Sequence, residues 1–364
     1  MSAVLEPATR QAPPVSPGPE HAPRLALLGT GTVGAAFAAR CERLRARGVA
    51  VPALAWLANS RGGTEAGGRP LQALEALRAA PFGAHAAEAP WAGALGPGDV
   101  VVDATASDGV ADRHAGWLAE GIHVVTANKQ GAGAELARAR AIAAASRACG
   151  ATYGDSATVG AGLPLLRSVR ALAAGGDAIH SIEGVLSGSL AWLFDRFDGA
   201  RPFSALVREA HAAGYTEPDP RVDLSGEDVK RKLLILVRAA GLELEAHDVR
   251  VSPLLPAALA AAGPEEVEGL LPLLDAPMQE RLERARRAGM RLCFAGRWSE
   301  GIADVGLREL PAAHPLCAGG GTDNLVAITS CRYRAQPLVI RGPGAGAEVT
   351  AAALLDDVLS IPQR

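Results

Sequence analysis

Short apolar runs alternate with longer amphipathic stretches over the first 155 residues of the chain. The apolar runs have the length of buried strands, and the stretches between them have helical spacing. Strands that alternate with helices predict parallel βαβ units, because a crossover helix returns each strand to the same sheet. We therefore expect an α/β fold with a doubly wound parallel sheet of the Rossmann type. The predicted strands are Arg24–Leu28, Val51–Leu57, Asp99–Asp103, His123–Thr126 and Ala151–Asp155, and the predicted helices are Ala35–Arg47, Leu71–Arg78, Ala111–Glu120 and Ala134–Cys149.

The pattern changes at Pro164, after which strands and helices no longer alternate regularly. This part predicts an α+β domain in which an antiparallel sheet has one face covered by helices and carries the contact of a homodimer. A last apolar helix is predicted over Val349–Leu359. The other predicted strands are His180–Leu186, Arg291–Ala295, Ile302–Leu307, Asn324–Cys331 and Leu338–Arg341, and the other predicted helices are Leu165–Ala173, Ser187–Phe194, Phe203–Ala213 and an interrupted stretch over Val251–Met290.

A glycine-rich turn of the form G-x-G-x-x-G follows the first predicted strand directly and opens the first predicted helix. Gly29 permits the tight turn, Gly31 lets the backbone approach a pyrophosphate, and Gly34 lets the helix pack closely on the strand. Free N–H groups and the dipole at the helix start favour an anion. The turn therefore predicts a dinucleotide cofactor. Its candidate contacts are Gly29, Thr30, Gly31, Thr32, Val33 and Gly34.

The end of the second predicted strand bears on the choice between NAD and NADP. An NAD site usually has an acidic residue there, which binds the ribose 2′-hydroxyl. Here the first acid is Glu65, whereas Ser60 and Arg61 could hold a 2′-phosphate, for which arginine has matching geometry. The pattern favours NADP and leaves NAD open. The alternative interpretation is that Arg61 is a solvent-exposed side chain in a glycine-rich loop.

Two further strand ends carry candidate ligand contacts. Thr105 and Ser107 offer hydroxyl groups after the strand Asp99–Asp103, at the edge where ligands bind an open α/β sheet. Lys129 follows the strand His123–Thr126 and is a candidate for contacts with both substrate and cofactor. A lysine in such a loop is otherwise most often solvated.

Charged residues crowd the segment formed by residues 214–232. Pro218 and Pro220 predict an extended start, and Ser225 predicts the N-cap of a following helix. On that helix Asp228 and Lys232 would lie one turn apart on the same face. The alternative is a charged loop whose surface ion pairs contribute little. Its charged residues include Glu217, Asp219, Asp223, Glu227, Asp228, Lys230, Arg231 and Lys232.

The spacing within this segment resembles the signature of homoserine dehydrogenases. The shared pattern is A-x-x-x-G-Y-T-x-x-D-P-x-x-D-L-x-G-x-D-x-x-x-K over residues 210–232, and the A-N-K segment ending at Lys129 is also similar. The likeness covers nearly the whole chain after residue 23. It implies NAD(P)-dependent interconversion of L-homoserine and L-aspartate 4-semialdehyde, in the biosynthesis of threonine, methionine and isoleucine.

The resemblance also implies roles for the charged residues. Lys232 would donate the proton to the alkoxide, with Lys129 nearby at the nicotinamide. Glu217 would bind the substrate amine, while Asp223 and Asp228 would orient the amino acid and Lys232. Independently of the resemblance, an amino-acid substrate needs carboxylates for its ammonium group. Lysine is suited to an emerging alkoxide because it supplies both positive charge and a proton.

Two more segments match the family. The segment 156–164 is similar to one that binds a monovalent cation such as Na⁺ through backbone carbonyls and a glutamate; the carbonyls would be those of Val159, Ala161 and Leu163. Ser156 replaces the glutamate, so one charged ligand is lost. The last helix would return to the nucleotide domain and bring Gly346 against the cofactor, although Gly346 can also be read as an ordinary helix start.

These observations divide the chain into four parts. We predict a disordered tail (1–22), a dinucleotide-binding domain (23–155), a substrate-binding and dimerisation domain (156–341) and a returning C-terminal helix (342–364). Only five residues follow the last predicted helix, so we expect a monofunctional enzyme without a regulatory domain.

Composition narrows the remaining classes. The chain of 364 residues has a formal net charge of −3, without the basic stripe that would indicate nucleic acid. It has no run of roughly 18 apolar residues that would indicate a membrane span. The tail carries acids and lacks an apolar core, which is untypical of a targeting peptide, so we expect a cytoplasmic protein. The five cysteines form neither a C-x-x-C pair nor a zinc pattern.

Two other functions stay open. An acylating semialdehyde dehydrogenase has a similar two-domain build but needs an activated thiolate, and Cys149 lies at the end of a helix, where the dipole disfavours one. A catalytically silent NADP-binding sensor or interaction protein could use the same fold. The presence of all the charged candidates argues against a sensor, which need not keep them.

Overall fold

The structure is a computed structural model, and it describes residues 22–81 and 94–362. The predicted disordered tail lies, apart from Ala22, outside the described residues. Two six-stranded sheets organise the described chain, one in each half. Within the described residues no helix combines the length and the apolar character that crossing a membrane requires.

The first sheet has the strand order β3-β2-β1-β4-β5-β6 and is parallel except for β3, which runs antiparallel to β2. This confirms the predicted α/β class with a doubly wound sheet. Its strands are β1 (Arg24–Leu28), β2 (Ala53–Asn59), β3 (Gly62–Glu65), β4 (Val100–Asp103), β5 (His123–Thr126) and β6 (Tyr153–Gly154). Its helices are α1 (Thr32–Ala46), α2 (Pro70–Ala79), α3 (Asp108–Ala111), α4 (His114–Ala119), α5 (Gln130–Gly133) and α6 (Leu136–Cys149).

Both faces of the first sheet are buried, and its strands are therefore apolar at consecutive positions. Leu25 and Leu27 pack in one cluster with residues of α1 and α2, whereas Ala26 and Leu28 pack in a different cluster. Successive strand side chains point to opposite faces, so one short strand contributes to two cores.

The second sheet has the order β12-β11-β7-β9-β10-β8 and is antiparallel except that β8 pairs in parallel with β10. Its strands are β7 (Ile179–Val185), β8 (Val249–Val251), β9 (Met290–Ser299), β10 (Ile302–Pro311), β11 (Asp323–Ser330) and β12 (Leu338–Pro343). The helices of this half are α7 (Leu165–Ala174), α8 (Gly188–Arg196), α9 (Phe203–Ala212), α10 (Pro220–Leu224), α11 (Glu227–Ala239), α12 (Ala257–Ala261), α13 (Val267–Leu270), α14 (Asp275–Arg287) and finally α15 (Ala347–Leu359).

Helix α11 is the central helix of this half. The apolar run that follows its charged first turns, Leu233–Val237, is entirely buried. On the sheet side α11 approaches β9 so closely that a Cβ atom at Gly296 would lie 3.3 Å from Val229 and 3.4 Å from Leu233. The close packing holds the first turns of α11, with their charges, in a defined position over the sheet.

Several predicted boundaries are corrected by the structure. The second strand was predicted over Val51–Leu57 but runs over Ala53–Asn59, and it pairs with the unpredicted β3 through a tight turn at Ser60 and Arg61. The predicted helix Ala111–Glu120 is two short helices, α3 and α4. Strand β8 and helix α5 were not predicted, because each is too short to show periodicity.

The last helix, α15, packs against α1 on one face of the first sheet. Leu354 and Leu355 are buried in the cluster that also contains Phe37 of α1. At the helix start Glu348 pairs with Arg43 of α1 at 3.0 Å, and both side chains are exposed. The C-terminal helix is therefore part of the core of the N-terminal sheet.

Candidate active site

The glycine turn between β1 and α1 is shaped by two close contacts and one open position. Gly29 has φ +91°, and a Cβ atom there would lie 2.7 Å from the carbonyl oxygen of Ala104. A Cβ atom at Gly34 would lie 1.9 Å from the carbonyl oxygen of Gly29. Gly31 has nothing within 4 Å of its Cβ position. The two outer glycines are therefore required by packing, and the middle one leaves space at the start of α1 for a ligand.

A cavity of about 740 Å³ opens at this turn, beside the carboxyl ends of β1, β2 and β4. The location is the one expected for ligands of open α/β sheets. Seven predicted cofactor contacts line it, namely Gly29, Thr30, Gly31, Ser60, Arg61, Thr105 and Ser107. Five others do not line this cavity, namely Thr32, Val33, Gly34, Lys129 and Gly346.

Arg61 lies in the turn between β2 and β3 rather than in a longer glycine-rich loop. Its Nη1 atom donates to the carbonyl oxygens of Arg78 (2.5 Å) and Ala80 (3.1 Å) at the end of α2. Its backbone N–H donates to Oδ1 of Asn59, the last residue of β2. These bonds hold Arg61 at the rim of the cavity, and Asn59 occupies the position where an NAD site usually has an acid.

A second group of charged residues joins the two halves of the chain. The carboxylate of Asp228, in the first turn of α11, pairs with Lys232 one turn later at 2.8 Å. The other oxygen of Asp228 pairs with Lys129, which follows β5 of the first sheet, at 3.4 Å. Lys232 is buried, and its Nζ atom also donates to the carbonyl oxygen of Leu186 at 2.6 Å. The predicted proximity of Asp228 and Lys232 is thus present in the structure.

The electrostatics of this group favour an ionised carboxylate. Burial by itself would raise the pKa of Asp228, but the ammonium groups of Lys232 and Lys129 outweigh it and lower the pKa to about 2. The carboxylate of Asp228 is therefore ionised throughout the physiological pH range. The group presents two lysine ammonium groups and one carboxylate to any ligand that lies between the two halves.

Asp223 lies in α10, close to the start of α11. Its Oδ1 atom accepts a hydrogen bond from Ser189 at 2.6 Å, and its Oδ2 atom accepts one from the backbone N–H of Glu217 at 2.8 Å. The side chain of Glu217 is exposed. Ser189 was not among the predicted site residues; it lies in the first turn of α8. The structure therefore adds Ser189 to the residues that determine the orientation of Asp223.

The capping of the charged segment differs from the prediction. Asp219 caps the short helix α10 by accepting from the backbone N–H of Arg221, and Pro220 is the first residue of that helix rather than part of an extended stretch. The N-cap of α11 is Gly226 in the left-handed region (φ +77°), not Ser225. Ser225 still accepts a hydrogen bond from the N–H of Glu227 at 3.2 Å. Proline favours the first position of a helix as well as an extended conformation, which explains the error.

The segment that matched a cation-binding loop forms a tight turn. Gly160 and Ala161 are both left-handed, with φ of +71° and +49°, a conformation that costs energy at Ala161. Ser156 donates from its hydroxyl and its N–H to the carboxylate of Asp357 in α15, at 2.8 and 2.9 Å. Asp155 forms two hydrogen bonds with Arg170, so its charge is compensated. The carboxylate next to Ser156 is therefore that of Asp357, which no sequence pattern indicated.

Cys149 does not belong to the site. It ends α6, which leads into β6, so it lies at the edge where the strands of the first sheet begin. Its Sγ atom donates to the carbonyl oxygen of Ala119 at 3.1 Å. The candidate cofactor contacts follow the ends of the strands, at the opposite edge. The position argues against an acylating dehydrogenase that uses this thiol.

A doubly wound sheet with a glycine-rich turn, joined to a second domain through a lysine–carboxylate–lysine group, is the build of a two-domain, nicotinamide-dependent dehydrogenase. The comparisons with known proteins agree. Residues 29–154 match the family model described as homoserine dehydrogenase, NAD binding domain, and residues 164–359 match the one described as homoserine dehydrogenase. The chain belongs to the homoserine dehydrogenase family.

Individual relatives are similar in sequence. The chain is 44% identical over 273 residues to the chloroplastic bifunctional aspartokinase/homoserine dehydrogenase 1 of Zea mays. The match covers 73% of this chain and 29% of the maize protein. The chain therefore spans less than a third of the length of this relative. It is 38% identical over 273 residues to the homoserine dehydrogenase of Schizosaccharomyces pombe, covering 72% of each protein.

Solved structures show the same fold. A Candida auris protein described as of unknown function superimposes with a TM-score of 0.82 at 32% identity, covering 93% of this chain and 98% of that one. A hyperthermophilic archaeal homoserine dehydrogenase mutant in complex with NADPH has a TM-score of 0.71 at 20% identity, covering 93% and 97%. At this identity the second likeness concerns the fold alone.

Proposed function

We propose that the protein catalyses the NAD(P)-dependent interconversion of L-homoserine and L-aspartate 4-semialdehyde, an oxidoreductase activity of amino-acid biosynthesis. The observation that carries the proposal is the ion-paired group of Lys129, Asp228 and Lys232, which joins the nucleotide-binding half to the second half. A carbonyl reduced by hydride needs positive charge and a proton at its oxygen, and this group can supply both.

Lys232 is the proton donor in this proposal. When bound, the nicotinamide supplies the hydride that the aldehyde carbon receives. The ammonium group of Lys232 then gives a proton to the new alkoxide and regains one from solvent. Its contact with the carbonyl of Leu186 and its ion pair with Asp228 fix the direction of its Nζ atom. Lys129 adds a second positive charge on the side of the nucleotide domain.

Glu217, Asp223 and Asp228 are the proposed substrate contacts. The ammonium group of the amino acid would be bound by Glu217, whose exposed side chain can turn towards a ligand. Asp223 is held rigidly by Ser189 and the N–H of Glu217, which favours a positioning role at the substrate. Glu217 precedes α10, Asp223 lies in α10 and Asp228 lies in the first turn of α11. The three carboxylates therefore concentrate negative charge in one segment of the chain, where the substrate amine would approach.

NADP is the proposed cofactor. Ser60 and Arg61 line the cavity and would bind the 2′-phosphate. Asn59 stands where an NAD site usually has an acid. The proposed contacts with the rest of the cofactor are the glycine turn (Gly29, Thr30, Gly31, Thr32, Val33 and Gly34), Thr105, Ser107, Lys129 and Gly346. The archaeal neighbour in complex with NADPH supports this choice only by analogy of fold.

For a monovalent cation such as Na⁺ we propose the carbonyls of Val159, Ala161 and Leu163 as ligands and Asp357 as the source of the charge that Ser156 lacks. Burial raises the pKa of Asp357, while its hydrogen bonds to Ser156 act in the opposite direction. A bound cation would stabilise the ionised form of this carboxylate. The test compares the thermal midpoint in NaCl and in tetramethylammonium chloride. We expect a rise in NaCl that Asp357→Asn abolishes, whereas equal midpoints in both salts would contradict the cation site.

The same proposal includes the organisation of the protein. We propose a dinucleotide-binding domain over 23–155, a substrate-binding and dimerisation domain over 156–341 and a returning segment over 342–364, with the second sheet as the homodimer contact. Light scattering after size exclusion would give the mass in solution. A cytoplasmic location stays a prediction.

The deciding experiment is an absorbance assay at 340 nm with purified protein, L-homoserine and NADP, repeated with NAD. Lys232→Ala should lower turnover roughly 10²- to 10⁴-fold, the usual size of a lost acid–base group, while NADP binding persists. Lys230→Ala is the matched control: it removes a lysine from another face of the same helix, where the partner is Glu227. Turnover near the wild-type value in Lys232→Ala would exclude the mechanism. NADP binding without any oxidation of homoserine would instead favour a silent NADP-binding sensor.

A further inference from the structure

A chain of buried polar side chains lies beneath the turn that carries Lys129. Asp103, at the end of β4, and His114, the first residue of α4, are 0% exposed, and Asn128, which precedes Lys129, is 1% exposed. Burying polar groups is unfavourable unless each finds a partner, so such a network specifies one geometry when it is complete. None of these three side chains has a role in the reaction proposed above.

Asp103 is the centre of the network. Its Oδ1 atom accepts hydrogen bonds from the backbone N–H and the hydroxyl of Thr105, at 2.9 and 2.7 Å. Its Oδ2 atom lies 3.0 Å from Nε2 of His114 and accepts from the side-chain amide of Asn128, also at 3.0 Å. A carboxylate only accepts hydrogen bonds, so the Nε2 atom of His114 carries the hydrogen in this arrangement.

Asn128 connects Asp103 to the turn after β5 through hydrogen bonds. Its amide nitrogen donates to the carbonyl of Ser107 at 2.8 Å as well as to Asp103, and its Oδ1 atom accepts from the backbone N–H of Gln130 at 3.0 Å. Its own N–H donates to the hydroxyl of Thr126 at 2.9 Å. The residues on both sides of Lys129 are therefore held by one side chain, and that side chain is held by Asp103.

His114 is fixed on its other side by Tyr153, whose hydroxyl lies 3.3 Å from Nδ1. Burial and the nearby charges of Asp155 and Asp103 raise the pKa of Tyr153 well above its ordinary value of 10.0, so its hydroxyl keeps its proton and can donate to Nδ1. The fit is tight: a Cβ atom at Gly131 would lie 2.3 Å from the Tyr153 hydroxyl and 3.1 Å from Nδ1 of His114.

The same short helix, α5, reaches the other half of the site. A Cβ atom at Gly133 would lie 3.1 Å from the carbonyl oxygen of Arg231 and from Ile235, both in α11. Helix α5 is therefore packed between the buried network and the helix that carries Asp228 and Lys232. Displacement of α5 or of the turn before it would change how far Lys129 lies from Asp228.

We propose that His114 is a positioning residue for Lys129. It acts through Asp103 and Asn128: its hydrogen bond orients the carboxylate, and the carboxylate holds the amide that precedes Lys129. Without this donor, Asp103 would lose a buried partner and could turn, which would release Asn128. The importance of Lys129 for turnover rests on the proposed function. The position of its side chain beside Asp228 is independent of that function.

Two substitutions at one position test the hydrogen bond separately from the packing. His114→Phe keeps a planar ring but removes the donor, and His114→Gln places an amide nitrogen close to the position of Nε2. Loss of positioning should lower kcat roughly 10- to 100-fold in His114→Phe, with little change in KM. His114→Gln should recover most of that loss. Equal activity of the two variants would overturn the proposal.

A double-mutant cycle with Lys129→Ala shows whether His114 acts through Lys129. If it does, His114→Phe should have no further effect on kcat in the Lys129→Ala background. A merely structural defect would instead lower kcat by the same factor in both backgrounds. Multiplicative effects would therefore overturn the proposal. If His114→Phe fails to fold, Tyr153→Phe, which removes one hydroxyl, should give a smaller loss that is likewise absent in the Lys129→Ala background.

Crystal structures of the two His114 variants supply a readout that does not depend on activity. The distance from Nζ of Lys129 to Asp228 is 3.4 Å, and it should exceed about 4 Å in His114→Phe but not in His114→Gln. An unchanged distance in both variants contradicts the positioning role. A wild-type protein that does not oxidise homoserine would refute the proposed function, and the crystal structures would then decide the role of His114.

Discussion

Asp228 is one of the residues at which the two halves of the protein meet. It was predicted as part of an i, i+4 pair with Lys232 on one helix, and the structure adds Lys129 from the other domain as its second partner. A carboxylate between two ammonium groups offsets their mutual repulsion. The contribution of Asp228 to the stability of the fold therefore depends on its ionisation.

The depressed pKa of Asp228 predicts how stability responds to acid. Because the folded-state pKa is about 2, below the ordinary 3.8, the ionised group stabilises the fold above about pH 4, and this contribution is lost as pH falls towards 2. Urea unfolding of wild type and Asp228→Asn should thus differ by a constant free energy between pH 8 and 5. The difference should shrink below about pH 4. A difference that stays constant down to about pH 2 would mean that the pKa is not lowered.

We predict that Arg61 determines the preference for NADP over NAD. Arg61→Ala should raise the KM for NADP far more than the KM for NAD, because only NADP carries the phosphate that a guanidinium would bind. Arg69→Ala is the control, since Arg69, at the start of α2, is exposed and does not line the cavity. Steady-state kinetics with both cofactors decide the matter. Equal effects on the two KM values would mean that Arg61 serves only to bind the end of α2.

At the scale of the element, two glycines of the same turn have different roles: Gly34 is required by packing, and Gly31 leaves space for a ligand. Gly34→Ala places a methyl group against the carbonyl of Gly29 and should destabilise the protein by roughly 1–3 kcal/mol. Gly31→Ala meets no protein atom, so stability without cofactor should change by less than about 0.5 kcal/mol. Its NADP dissociation constant should nevertheless rise roughly tenfold or more, about 1.4 kcal/mol.

Urea unfolding without cofactor and NADP titration by fluorescence are the two measurements. Gly31→Ala that binds NADP like wild type would show that no ligand approaches the backbone at this turn. Gly34→Ala with wild-type stability would show that the turn can move away from its close contact.

The charged segment shows which element-level features a sequence reveals. The helix carrying Asp228 and Lys232 was predictable, because side chains four residues apart share a face. The short helix at Pro220 and the cap at Gly226 were not, because the same local residues suit more than one backbone conformation and the packing of Gly226 against Phe294 favours one of them. The hairpin at Arg61 was missed for the same reason.

At the scale of the whole molecule, α15 ties the end of the chain to its beginning. Leu354→Ala removes a fully buried side chain from the cluster shared with α1 and should cost about 2–5 kcal/mol of unfolding free energy. Leu359→Ala, in the same helix but 41% exposed, should change it by less than about 0.5 kcal/mol. Urea denaturation of both variants provides the comparison. Similar small effects would mean that α15 is not part of the core.

The sequence alone determined the features whose physical cause lies within one stretch of chain. These are the alternation of strands and helices, the glycine turn, and the shared helix face of Asp228 and Lys232. Only the tertiary structure decided which distant residues meet: Lys129 with Asp228, Ser156 with Asp357, and His114 with Asp103. Such contacts leave no periodic pattern, because they depend on how sheets and helices pack after the local elements have formed.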